Sequence, residues 1–102
     1  MSDGLVLVVP RSGAELQAWG RRFANCVGSY SAAVEAGRSH IVGVELHEVL
    51  SYCLEIKPDR TIRQFLGYRN RAVPREHATV VARYLMSRGA LDAGNAANRV
   101  WL

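Results

Sequence analysis

The apolar positions change period several times along the chain, and each change marks an element. Leu5-Val6-Leu7-Val8-Val9 is a short, β-branched run that ends at Pro10, which predicts a strand or an extended arm. From Ser12 the spacing becomes helical. Leu16, Trp19, Phe23 and Val27 recur three and four residues apart and make one apolar stripe, while Arg21 and Arg22 fall off it, toward water. Ser12-Gly13-Ala14-Glu15 has the form of a capping box, with Glu15 reaching back to the Ser12 amide. This helix is predicted to stop near Gly28. Ser29 to Ala36 predicts a second, short helix with Tyr30, Ala33 and Val34 inward and Gly37 just past its end.

The period then shortens to two. In His40–His47, Val42, Val44 and Leu46 share one side, and Glu45 and His47 the other. Leu50, Tyr52, Leu54 and Ile56 form the next alternating set, with Ser51, Cys53, Glu55 and Lys57 on the polar-facing side. Lys57-Pro58-Asp59-Arg60 is a turn, because Pro presets φ and Asp bonds its own backbone. Thr61 to Leu66 returns as a third strand. Gly67 to Val73 is a loop rich in Arg and Asn. Pro74 suits the first position of a last helix that turns Ala78, Val81, Leu85 and also Tyr84 inward and ends at Gly89. Ala90 to Leu102 is weakly patterned, and Trp101 is expected to dock on the domain or to mark a partner surface.

These elements predict an α+β fold. A three-stranded antiparallel meander, extended to four if the N-terminal run pairs, packs against two N-terminal helices and one C-terminal helix. The meander is expected to have one apolar face roofed by helices and one open polar face. The chain of 102 residues has room for one domain spanning 1–102, with its core at about 12–89 and 90–102 as a C-terminal tail.

Composition changes this picture in one respect. The net charge is +4, and twelve Arg stand against a single Lys, Lys57. The guanidinium fork matches phosphate and carboxylate in two-point contacts, so an Arg-rich surface leans toward nucleic acid or an acidic protein partner. Evenly spread, the same charge is only a solvated surface. No apolar stretch approaches the ~20 residues of a membrane span, and Leu5–Val9 lacks the features of a secretion signal. The expectation is therefore a cytoplasmic protein without membrane contact and with both thiols, Cys26 and Cys53, reduced.

Several residues carry candidate chemistry. Arg69, Arg71 and Arg75 cluster before the last helix and, with Arg60 and Arg63, make the densest basic stretch. A helix N-terminus among arginines suits phosphate, and Tyr68 between them suits base stacking. The alternative is a solvated basic loop. Glu55 and Gln64 fall on neighbouring strands and are expected on one side. With Arg63 or Arg69 they form either a polar binding constellation, bordered by Tyr30 and Asn70, or a plain cross-strand pair. Asn70 alternatively serves as a turn or cap residue. Cys26, at the end of the first helix, is either a nucleophile needing His40 or His47 as base, or a buried core thiol. His40, His47 and His77 show no metal spacing, so neither metal nor cofactor is expected.

The ordered set Asn25-Cys26-Val27-Gly28-x-Tyr30, Val34-x-x-Gly37, Tyr52-x-Leu54-Glu55-Ile56 and Ile62-x-Gln64-x-x-Gly67-x-x-Asn70 resembles the PcfJ-like proteins over about Leu16 to Gly89. The resemblance implies a mobile-element setting, on conjugative plasmids or phages, and no defined reaction. Members often carry His before the Cys, where this chain has Asn25. The leading expectation is a non-enzymatic module engaging nucleic acid or a nucleoprotein complex through an Arg-bearing sheet edge and loop. One alternative is a protein–protein effector that blocks a host complex, of the anti-defence or anti-CRISPR kind. The other is a Cys26-dependent enzyme that uses Glu55, Gln64 or Asn70.

Overall fold

A computed structural model describes residues 4–23 and 40–102. Strands β1 (Leu5–Val8), β2 (His40–Leu46), β3 (Val49–Ile56) and β4 (Ile62–Leu66) form one antiparallel sheet in chain order. The N-terminal run is a strand and not an arm, since Leu5 to Val8 pair with Leu46 to Gly43. The β2–β3 connection holds His47 and Glu48 at φ of 50° and 70°, the left-handed pair that a two-residue hairpin needs to match strand twist. In the β3–β4 turn, the Asp59 carboxylate accepts from both the amide and the hydroxyl of Thr61.

Helix α1 (Gly13–Phe23) opens at Ser12, whose hydroxyl accepts from the Glu15 amide at 3.1 Å. The Glu15 carboxylate accepts from the Arg11 amide, one residue before the expected Ser12. Its predicted run to Gly28, and the second helix at 29–36, lie outside the described residues. Helix α2 (Arg75–Ser87) begins one residue after Pro74, which precedes the helix and does not occupy its first turn. Gly89, at φ of 77°, ends it as expected.

The helices take opposite faces of the sheet. Ala78, Val81, Ala82 and Leu85 of α2 close over Leu54, Ile56 and Phe65. Leu16 and Trp19 of α1 close over Ile41 and Cys53. Adjacent residues of β3 are therefore both buried, Leu54 at 0% and Cys53 at 5% exposed. This corrects the expectation of an open polar face: Cys53 lies under α1. The α1 contact depends on Gly43, where an added Cβ would lie 2.8 Å from the Trp19 ring and from Leu50.

Two bulges interrupt the alternation. Pairing steps from Val44↔Tyr52 to Glu45↔Leu50, so Ser51 is the extra residue. Leu50 is thereby moved from the predicted Tyr52–Leu54–Ile56 set to the α1 face, where it packs beside the Leu16–Trp19 cluster. Pairing likewise steps from Glu55↔Gln64 to Ile56↔Ile62, leaving Arg63 as the extra residue of β4.

The C-terminal segment is part of the core and not a tail. Leu91 and Asn98 are buried, and Trp101 packs on Phe65 with the rings tilted and their centroids 5.6 Å apart. Asn98, in the short helix α3 (Ala96–Arg99), accepts from the Ile62 amide at 2.8 Å. Its Nδ2 donates to the Arg60 and Asp92 carbonyls at 2.8 and 2.9 Å. A carboxamide alone supplies this acceptor and both donors from one buried position.

Asn98→Ala strands those backbone groups and is expected to cost about 1–3 kcal/mol or more, read as a lowered Tm in thermal melts. Gly43→Ala overpacks the α1 face and is expected to cost about 1–3 kcal/mol. If that loss comes from the Trp19 collision, combining it with Trp19→Leu makes the two losses less than additive in a double-mutant cycle.

Candidate functional site

The exposed chemistry concentrates where the last turn of α1 meets the turn after β4. Leu66 bridges to Ala72, and the Gly67 amide donates to the Arg71 carbonyl at 2.8 Å, so residues 67–71 close into a tight loop. Inside it Tyr68–Asn70 make a single 3-10 turn, with Arg69 and Asn70 at φ of 53° and 62°. Asn accepts this left-handed region readily, whereas Arg does so at a cost. A Cβ on Gly67 would come within 3.4 Å of the Ser51 carbonyl, which is how closely the loop lies on the bulge of β3.

Between this loop and α1 is an open cleft of about 510 Å³, lined among the described residues by Arg22, Leu50, Ser51 and Tyr68. The Ser51 bulge supplies its floor. Tyr68 is 48% exposed, and the Arg69 guanidinium lies 5.4 Å from its ring centroid. Arg21, Arg69 and Arg71 are exposed. Arg22, read from sequence as merely solvated, is thus a wall of the site, and Leu50 and Ser51 were not anticipated either. The only sequence signal was the Arg21-Arg22 pair at the end of an amphipathic helix. Nothing local linked it to a loop nearly fifty residues away.

Glu55 and Gln64 do share a face, as direct partners across β3 and β4. The β4 bulge brings Arg63 to the same face, with its Nε 3.9 Å from Glu55 Oε1. Glu55 is 1% exposed, so this is a buried carboxylate beneath an exposed guanidinium. At that separation, with Arg63 largely in water, the pair orients Arg63 more than it stabilises the fold. Gln64 is half-buried. The constellation lies two register steps from Leu66, the last residue of the edge strand before the Tyr68 loop.

The remaining expected residues separate. The Arg75 guanidinium donates to the Leu102 main-chain oxygen at 3.1 Å, which ties it to the C-terminal segment. Arg60 sits at the other end of β4, where its Nη1 reaches the Gly89 carbonyl at 3.4 Å. Cys26 and Tyr30 lie outside the described residues. His77 accepts or donates at Nδ1 to the Tyr52 hydroxyl at 2.8 Å, at the α2 side. Burial, and then the negative charge of Glu76, raise the Tyr52 phenol above its ordinary value. Among the described residues, no group of three His, Cys, Asp or Glu side chains is placed to hold a metal ion, and no helix is long and apolar enough to cross a membrane.

Cys53 has the wrong environment for a nucleophile. Burial pushes its thiol up to about 12, the charge of Glu55 adds to the rise, and the Leu54 amide offsets only part of it.

A family model described as PcfJ-like protein matches residues 1–81. No curated protein and no solved structure matches the chain.

Because the folded Cys53 value lies above the ordinary 9.0, the folded chain holds that proton more tightly than the unfolded one. The contribution is whole below about pH 9 and is lost as pH rises toward 12. Denaturant melts across this range are expected to show falling stability, with a shallower slope in Cys53→Ala. Iodoacetamide at pH 8 followed by peptide mapping is expected to leave Cys53 unmodified until the protein unfolds.

Proposed function

We propose, given that this chain belongs to the PcfJ-like protein family, that it is a binding module for unpaired nucleic acid, free or within a nucleoprotein complex. The observation that carries this reading is the exposed Tyr68 with the Arg69 guanidinium over its ring, facing Arg22 across one cleft. An exposed ring offers a π-face to any base, and a guanidinium beside it offers a fork to phosphate or a second stacking plane. Arg71, exposed in the loop, and Arg63, exposed on β4, carry positive charge from the loop along the edge strand. Such a stripe follows a phosphate backbone and favours affinity over sequence readout.

The loop geometry supports binding more than reaction. The backbone of its left-handed Arg69 is held by a closed hydrogen-bonded ring, so the loop has little main-chain freedom left to lose on binding. The buried Glu55 beneath Arg63 serves the same end by orienting a cation at the edge strand. The natural setting of the module, by family, would be a conjugative plasmid or a phage, where single strands are transferred or replicated.

Fluorescence anisotropy with mixed-sequence single-stranded DNA and RNA tests this reading. Affinity is expected to fall log-linearly with salt. Arg22→Glu, Arg69→Glu and Arg71→Glu are each expected to weaken it and to reduce the slope by about 0.7 for every phosphate no longer neutralised. Tyr68→Ala is expected to cost about 1–3 kcal/mol and leave the salt slope in place. Affinity indifferent to these four changes would overturn the proposal. So would a tight complex with a host protein from a protein that ignores nucleic acid, which is the outcome expected of a protein-blocking effector.

A further inference from the structure

A second concavity lies at the far end of the sheet from the Tyr68 cleft, where β1 ends, β2 begins and the β3–β4 turn folds back. Its volume is about 410 Å³, within the range of small-molecule sites. The walls are apolar, built from Val9 and Pro10 after β1, Val42 and Ile56 from the sheet, Leu85 from the last turn of α2 and Ala90 beyond it. Its polar lining among the described residues is His40, Lys57 and Arg60, with no acidic side chain. Asp59, the carboxylate next to Arg60 in the chain, is turned into its own turn by two hydrogen bonds to Thr61. The α2 C-terminus would bring partial negative charge, but the Leu85 carbonyl accepts the Ala90 amide and the Gly89 carbonyl accepts Arg60.

The turn that carries the cations is held from outside. Arg60 sits at φ of 65°, where a glycine would be unstrained. Its carbonyl accepts from the buried Asn98 carboxamide and from the Asp92 amide, and its amide donates to the Lys57 carbonyl. The C-terminal segment thus fixes a strained arginine at the mouth of an apolar hollow. A hydrophobic wall rimmed by cations alone discriminates by head-group sign, because an apolar body is held equally whatever its charge while the head is not.

We propose that this cleft binds a soluble small molecule with an apolar body and one anionic head, a carboxylate or phosphate ester. The body lies against Val42, Ile56 and Leu85, and the head meets Lys57 and Arg60 with His40 as a further donor. The site is independent of the nucleic-acid reading and lies at the opposite end of β3.

Octanoate, octanol and octylamine share one body and differ in head, so titrating each into the ¹⁵N-labelled protein tests the proposal. Octanoate is expected to shift amides of Val9, Val42 and Ala90 saturably and to bind at least five-fold more tightly than octanol, with octylamine the weakest. Lys57→Gln with Arg60→Gln is expected to abolish the preference for octanoate over octanol and to leave octanol binding unchanged. Ala90→Trp, which fills the cleft from an incompletely buried position, is expected to remove binding of all three while the spectrum stays folded. Equal affinities for the three heads, shifts mapping elsewhere, or binding seen only with phosphatidylglycerol vesicles would each overturn it.

Discussion

Two single-residue bulges set the geometry of the polar chemistry along β3 and β4. The central strand β3 is buried on both faces from Cys53 to Ile56, where strict alternation leaves little room for polar chemistry, and its first half is partly open. The Ser51 bulge releases one residue from the ladder and rolls Leu50 under α1. That roll places Leu50 and Ser51 on the floor of the cleft that Arg22 and Tyr68 wall. The Arg63 bulge does the same on the edge strand and sets a guanidinium over the buried Glu55. Without these two insertions the sheet would be a layer between helices, with its cations pointed elsewhere.

Closure of the domain comes from the C-terminal segment. The family match ends at residue 81, within α2, yet Leu85, Leu91 and Asn98 beyond it are buried. Asn98 is the joint, since one side chain satisfies the first amide of β4 and two carbonyls of separate loops. Buried amide chemistry of this kind is unforgiving, because each unmet partner carries its full desolvation cost. The same joint holds Arg60 in its left-handed conformation and so shapes the second cleft. Trp101, packed on Phe65, completes the cover on that face.

The arginines divide by task. Arg75 binds a main-chain oxygen and ties down the C-terminal segment, whereas Arg60 only reaches the Gly89 carbonyl at the mouth of the second cleft. Arg22 shares a cleft with the exposed Tyr68, Arg69 lies over that ring, Arg71 is exposed in the same loop, and Arg63 stands on the edge strand. Composition alone cannot separate a guanidinium that ties a turn from one that awaits a phosphate. The separation comes from which carbonyls lie within reach.

Much of the fold was legible in one dimension. Strand and helix periods, the Asp59 turn, the Gly89 stop and the Glu55–Gln64 pairing all rest on interactions within a few residues or across one hairpin. Local spacing determines these. What needed the third dimension was every relation between elements distant in the chain. Cys53 read as polar-facing because its neighbours alternate, and only the packing of α1 across that face buries it. The bulges are invisible to periodicity because an inserted residue costs the pattern nothing until a partner strand must pair with it. Asn98 read as part of a loose tail, since a hub of hydrogen bonds leaves no periodic trace. By itself the sequence determined the strands of the meander, the start of α1 and the span of α2, because hydrophobic period and backbone preference are local. Tertiary structure alone decided which cation shares a cleft with Tyr68 and that both sheet faces are covered, because burial and register depend on which surfaces meet.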